Sequence, residues 1–75
     1  MVELTIHLVY PPSLVNVPVI NQLIRNFNVN INILRAEITN EQGWLDIRMS
    51  GPAAVVETAI EWLKDQGIEV NKTQG

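Results

Sequence analysis

The stretch VNINILRAEITNEQGWLDIRM at residues 29–49 contains two runs of alternating apolar and polar side chains, separated by a polar turn. Such alternation is typical of a β-strand that buries one face. The sequence NEQG at residues 40–43 predicts a hairpin turn between the two strands. The alternation shifts by one residue near residues 33–34, which indicates a β-bulge in the first strand. The side chains expected to face the core are Val29, Ile31, Ile33, Leu45, Ile47 and Met49.

The residues before the hairpin predict a strand followed by a helix. Residues 2–10 alternate and then meet Pro11 and Pro12, which end the strand because proline lacks a backbone N–H. Residues 18–27 place apolar side chains at helical spacing behind a proline in the first turn. The apolar residues of this helix are Ile20, Leu23, Ile24 and Phe27.

The residues after the hairpin predict a second helix and a short final strand. Gly51 and Pro52 begin the helix, and Gly67 occupies the position that ends it. Residues 68–70 predict the last strand, and residues 72–75 predict a flexible polar tail. The apolar stripe of the helix has the period of an amphipathic helix and consists of Val56, Ala59, Ile60 and Leu63.

The order of these elements, β-α-β-β-α-β, predicts a single α+β domain over residues 1–71. Two right-handed crossovers interleave the strands into a four-stranded antiparallel sheet of order 4-1-3-2, with both helices on one face. The second strand is therefore expected at an edge of the sheet.

Length, composition and charge argue against several classes of function. A domain of 75 residues buries only about 60% of the surface that its unfolded chain exposes, so oligomerisation is expected to support it. The absence of cysteine excludes disulfides and iron–sulfur clusters. A single histidine with scattered carboxylates predicts no metal and no cofactor. The net charge of −3 argues against nucleic acid as a partner.

No segment predicts insertion into a membrane or export. The apolar runs are short compared with the roughly 20 residues needed to span a bilayer. The N-terminal segment has no basic n-region and contains Glu3, so it does not resemble a signal peptide. The expected location is the cytoplasm.

Few residues are suited to catalysis. His7 is expected on the open face of the sheet, where Asp46 on a neighbouring strand could orient it. A solvated or ion-paired histidine is the commoner arrangement. The chain has no phosphate-binding loop, and Glu57 and Glu61 lie on the solvated side of the second helix. We therefore predict that the chain is not an enzyme.

The predicted edge strand contains NVNINIL at residues 28–34, with neither charge nor proline to protect it. Such an edge predicts pairing with a second copy, a peptide or a small molecule with backbone-like groups. Alternatively, the bulge alone protects it. Trp44 on the open face is typical of an interface, although a tryptophan beside a turn also folds over a sheet edge. The predicted homodimer interface comprises Val29, Ile31, Ile33 and Trp44.

Two blocks of sequence resemble the NIL domain family. They are Phe27-x-Val29-x-x-Asn32-Ile33-Leu34 and Ala59-Ile60-x-Trp62-Leu63-x-x-x-Gly67-Ile68-x-Val70. The family takes its name from the Asn-Ile-Leu tripeptide, and the resemblance covers nearly the whole chain. Its members typically form the C-terminal regulatory domain of methionine-import ABC ATPases, and others precede a dicluster ferredoxin module.

The resemblance implies a ferredoxin-like fold and dimers built through the sheets. In the transporter branch it also implies methionine sensing, in which the motif asparagine helps to hold the amino acid. The chain has neither an ATPase nor cluster cysteines, so we expect a stand-alone domain that acts on a partner protein in trans or has taken another role. We predict a ligand site at Asn30, Asn32, Ile33 and Leu34.

The leading interpretation is a non-catalytic binding or regulatory module for methionine or a related amino acid. The alternative is an assembly module whose edge pairs with itself or with a partner protein and binds no small molecule. An RNA-binding sheet is a weaker third hypothesis, because the charge is unfavourable.

Overall fold

Strands and helices follow one another in the predicted order in the computed structural model, which describes residues 1–74. The strands form one antiparallel sheet of order β2-β3-β1-β4, which is the predicted order 4-1-3-2 read from the opposite edge. A 3-10 helix at Pro12–Leu14 connects the first strand to the first helix. The elements are β1 (Val2–Tyr10), α1 (Val19–Asn26), β2 (Asn30–Ile38), β3 (Gly43–Gly51), α2 (Ala53–Asp65) and β4 (Glu69–Gln74).

The core lies between the two helices and one face of the sheet. The central strands β1 and β3, together with both helices, supply its most deeply buried side chains. Each aliphatic side chain that is fully buried stabilises the fold by about 1.5–3 kcal/mol relative to an exposed one, so this layer dominates the stability. The largest fully buried side chains of this core are Ile6, Leu8, Val19, Leu23, Ile47, Met49, Val56 and Leu63.

The local sequence explains where the helices begin and end. Pro18 and Pro52 immediately precede α1 and α2, where the missing N–H of proline removes no helical hydrogen bond. Gly67 follows α2 with a φ of +98°, a conformation that is strained for residues with a Cβ atom. The N–H groups of Gly67 and Ile68 both donate to carbonyls of the last turn, as in a Schellman motif.

Three of the four apolar residues predicted for the first helix lie in or against the core, namely Ile20, Leu23 and Phe27. Val19 and Leu23, one turn apart, are buried, whereas Ile24 is 48% exposed. Successive helical residues are rotated by about 100°, so a helix that turns Leu23 onto the sheet turns Ile24 away from it. Of the four apolar residues whose spacing predicted this helix, Ile24 is therefore the one turned away from the core.

The last strand is longer than predicted. β4 runs to Gln74, so residues 72–74 belong to the sheet and not to a polar tail, and residue 75 lies outside the described residues. The hydroxyl of Thr73 donates to the carbonyl oxygen of Thr5 across 3.1 Å. Because β1 is a central strand of nine residues, its backbone groups need partners on both sides, and even a polar segment can supply them.

The bulge in β2 is confirmed. Ile33 pairs with Ile47 and Arg35 pairs with Asp46, which are consecutive on β3, so Leu34 is the extra residue. In an unbroken strand Arg35 would share the helix-covered face with Ile33. The bulge instead places Arg35 on the open face.

Candidate functional site

The strand β2 forms one edge of the sheet and carries the Asn-Ile-Leu tripeptide. β3 pairs with one side of it, and no strand within residues 1–74 pairs with the other side. Ile31 is half-buried, and every other residue of the strand is exposed. The prediction that this strand lies at an edge is confirmed.

The register between β2 and β3 divides the predicted ligand residues between two faces of the sheet. Asn30 and Asn32 lie on the open face, and Ile33 lies on the helix-covered face beside the core residue Ile47. Leu34 at the bulge lines a depression on the open face. Asn30, Asn32 and Leu34 therefore share one surface, to which Ile33 does not belong.

The predicted interface residues also differ in their accessibility. Val29 is buried in the core and Ile31 packs against it, so these side chains have little surface left for a partner. Ile33 is 56% exposed at the edge. Trp44 is half-buried on the open face, opposite Glu37 of β2. Ile33 is thus the most accessible member of the predicted interface.

The centre of the open face holds a network of hydrogen bonds around Asp46. The Nδ1–H of His7 donates to Oδ1 of Asp46 across 2.6 Å, as the sequence suggested for this pair. On the other side, Nη2 and Nε of Arg35 donate to Oδ2 of Asp46 at 2.9 and 3.2 Å. Since an ionised carboxylate only accepts hydrogen bonds, the proton of His7 must lie on Nδ1. Asp46 therefore fixes the orientation of two side chains from different strands.

Trp44 lies beneath these two side chains. Its ring centroid is 5.4 Å from that of His7, and the two ring planes are tilted by 31°. The guanidinium carbon of Arg35 lies 5.9 Å from a Trp44 ring centroid, within the range of a cation–π contact. Trp44 is therefore covered in part by its own neighbours on the open face.

This network lowers the pKa of Asp46. The hydrogen bond from His7 is the largest cause, and the bond from Arg35 adds to it, while partial burial opposes both. A lowered pKa means that the folded state favours the ionised carboxylate, so Asp46 keeps its negative charge and its two partners at neutral pH.

The free energy of unfolding of the variant Asp46→Asn is expected to fall less between pH 7 and pH 3 than that of the wild type. Because folding lowers this pKa, the ionised carboxylate stabilises the fold above its ordinary pKa of 3.8, and the contribution is lost as the pH falls through the lowered value. Urea unfolding at pH 7 and pH 3 measures the difference. The control Glu57→Gln removes an exposed carboxylate of α2 and should keep the wild-type pH dependence. Equal pH dependence in Asp46→Asn and wild type would contradict this assignment.

A shallow depression of about 530 Å³ lies over the network. Leu34 is the only predicted ligand residue that lines it, and Asn30 and Asn32 lie further along the same face. Arg35 was not predicted as a site residue. The signal that could have revealed it is the bulge, since the extra residue brings Arg35 onto the face that carries Asp46. The residues lining the depression are Thr5, His7, Leu34, Arg35, Trp44, Asp46 and Thr73.

The described residues hold no group of three histidine, aspartate or glutamate side chains arranged to bind a metal ion. Neither of the helices within residues 1–74 combines the length and the apolar character needed to cross a bilayer.

The fold and the edge strand define a ferredoxin-like α+β domain whose accessible edge carries an Asn-Ile-Leu tripeptide. The sequence model of the NIL domain matches residues 4–72. The chain therefore belongs to the NIL domain family, as its sequence blocks suggested.

Curated relatives are methionine import ATP-binding proteins named MetN. The protein of Halalkalibacterium halodurans is 37% identical over 62 residues, which are 77% of this chain and 18% of the relative. The protein of Helicobacter pylori is 34% identical over 59 residues, which are 73% of this chain and 18% of the relative. The chain thus spans less than a fifth of the length of these relatives.

A solved structure shares the fold. The C-terminal domain of an ABC transporter ATP-binding protein from Enterococcus faecalis superposes with a TM-score of 0.82 at 20% identity. The superposition covers 93% of this chain and 82% of that domain. At this level of identity the match confirms the ferredoxin-like architecture.

Proposed function

We propose that the chain is a non-catalytic regulatory module that binds methionine or a related amino acid beside the Asn-Ile-Leu tripeptide of β2. The observation that carries the proposal is the accessible edge of β2, where Asn32 lies on the open face next to unpaired backbone groups. The names of the curated relatives support methionine as the ligand. In this role the module works in the cytoplasm, beside the ATPase of an importer, acting on it as part of the same chain or in trans.

The chemistry of β2 suits a zwitterion. An amino acid needs donors for its carboxylate and acceptors for its ammonium group. A strand edge offers both from its free N–H and C=O groups, and the carboxamides of Asn30 and Asn32 add one acceptor and two donors each. Leu34, on the same surface, offers apolar contact to a side chain such as the thioether of methionine.

The same edge supports assembly into a homodimer. Ile33 and Ile38 lie on the helix-covered side of the edge and are 56% and 55% exposed. Antiparallel pairing of β2 with its copy across a two-fold axis would satisfy the free backbone groups and cover these isoleucines. A module that only assembles, with itself or with a partner protein, is the second candidate function, and this apolar edge is the observation that favours it.

Calorimetric titration with L-methionine tests the proposal. Wild-type chain should bind L-methionine with a saturable heat, and glycine, which has the same charged groups without the side chain, should bind much more weakly. Sedimentation of the same samples reports assembly. If millimolar L-methionine produces no binding heat while the chain sediments as a dimer, the amino-acid module is contradicted and the assembly module takes its place.

A further inference from the structure

We propose that Arg35 is the residue that binds the ligand's carboxylate, and that the ligand lies in the open-face depression with its side chain against Trp44 and Leu34. This inference rests on the proposed function and assigns a residue outside the Asn-Ile-Leu tripeptide. It follows from the free donors of Arg35, the way Asp46 holds its guanidinium, and the position of the bulge.

The guanidinium of Arg35 donates hydrogen bonds from one edge and has free N–H donors on another. Its Nε and one N–H of Nη2 donate to the same oxygen of Asp46. A guanidinium has five N–H donors, so this arrangement leaves about three on the two terminal nitrogens. These donors form the edge that matches a carboxylate in a bidentate pair. The side chain of Arg35 is 76% exposed, so this edge is open to a ligand.

The network around Asp46 holds Arg35 in one orientation before any ligand arrives. A free arginine side chain loses much conformational freedom when a ligand immobilises it, which weakens binding. Here Asp46 holds one end of the guanidinium and Trp44 lies below it. His7 in turn holds the carboxylate of Asp46. The bidentate edge is thus preorganised by residues of the neighbouring strands.

The formal charges of Arg35 and Asp46 in the depression balance, and Arg35 presents the more accessible of the two. The side chain of Asp46 is only 12% exposed and already accepts hydrogen bonds from His7 and Arg35, so it presents little negative charge to a ligand. Arg35 is the more exposed charge by a wide margin. A carboxylate placed on Arg35 would also lie close to the Trp44 ring, which provides an apolar surface for the rest of the molecule.

The bulge makes this arrangement possible. As the extra residue of β2, Leu34 lines the depression together with Arg35, its neighbour in the chain. Consecutive residues of a regular strand point to opposite faces and would not meet the same ligand. One apolar and one cationic side chain are thereby placed side by side, which suits an amino acid with an apolar side chain.

The test compares L-methionine with L-methioninamide, in which a neutral amide replaces the carboxylate. Wild-type chain should bind the amide about ten- to hundredfold more weakly than methionine. In Arg35→Gln, the affinity for methionine should fall by a similar factor, whereas the affinity for methioninamide should not change. The variant should therefore show no preference for the carboxylate. If Arg35 only supported the fold, its substitution would lower the affinities for both ligands by the same factor.

Two further variants sharpen the comparison. Arg25→Gln removes an exposed arginine of α1, on the opposite side of the sheet, and should keep both affinities at wild-type values. Arg35→Lys keeps the charge but loses the planar bidentate edge, so it should recover little of the lost affinity. Melting curves would establish whether each variant is folded.

The outcomes separate this inference from the proposed function. If wild type binds methionine and Arg35→Gln keeps the wild-type preference over methioninamide, Arg35 does not bind the carboxylate, and the proposed function stands. If wild type binds neither compound, both proposals are overturned.

Tryptophan fluorescence tests the position of the ligand independently. In a Trp62→Phe background, where Trp44 is the remaining tryptophan, methionine should change the fluorescence. Calorimetric binding without this change would place the ligand elsewhere.

Discussion

Ile33→Lys is expected to convert the proposed dimer into a monomer without unfolding the chain. Burial of an isoleucine stabilises an association by about 1.5–3 kcal/mol. In a two-fold symmetric dimer the side chain is buried in both copies, so this contribution is made twice. Because Ile33 is 56% exposed in the single chain, the gain available in the dimer is about 2–3 kcal/mol. The substitution also brings two like charges together. The dimer dissociation constant should therefore increase about a hundredfold, as measured by sedimentation equilibrium.

The matched control is Ile24→Lys. Ile24 is 48% exposed on α1 and does not belong to β2, so the same change of residue type tests the effect of added charge outside the pairing strand. This variant should keep the wild-type dissociation constant, and both variants should keep the wild-type melting temperature within a few degrees. A stable Ile33→Lys dimer would show that copies associate through another surface.

Asn32→Ala is expected to weaken methionine binding about ten- to hundredfold. Asn32 is the open-face polar residue before Arg35 on β2, so its carboxamide can accept from the ammonium group of a ligand whose carboxylate lies on Arg35. Loss of a hydrogen bond to a charged group is worth about 1.5–3 kcal/mol, which corresponds to this range of affinities. Because Asn32 is exposed, the free energy of unfolding should change by less than about 0.5 kcal/mol. Calorimetry and urea unfolding measure the two quantities separately.

The control for this prediction is Asn28→Ala. Asn28 is an exposed asparagine just before β2, and it belongs to the same polar series as Asn30 and Asn32. If that series is only solvated, neither the substitution at 28 nor that at 32 should change the affinity for methionine. Asn32 would then not contact the ligand. If Asn32 binds the ligand, only its substitution should reduce the affinity.

The sequence predicted the fold because apolar side chains recur with different periods in the strands and helices. It also located the bulge, since the phase change near Ile33 has no other simple cause in a strand. The extent of β4 was not predictable in this way, because residues 71–74 are polar and have no apolar period. Their strand conformation follows from the unpaired backbone groups of β1, which is tertiary information.

The candidate site was predictable only in part. The edge strand and its asparagines follow from topology and parity, and the contact between His7 and Asp46 follows from neighbouring strands. The contribution of Arg35 depends on which residue is extra at the bulge. Whether Arg35 shares a face with Asp46 depends on the exact position of the bulge. The alternation of apolar and polar residues alone does not determine that position. The exposure of Ile24 likewise depends on how α1 rotates against the sheet.

Amide shift mapping locates the methionine site on the chain. The ¹⁵N–¹H spectrum of the labelled chain would be recorded during titration with L-methionine. A ligand bound beside the tripeptide should cause the largest shifts at residues 30–35 and at the indole N–H of Trp44, while the α1 and α2 amides should change little. Shifts concentrated on the helices, or a spectrum unchanged at about 10 mM methionine, where even a site with a millimolar dissociation constant would be largely filled, would contradict a ligand site beside the Asn-Ile-Leu tripeptide.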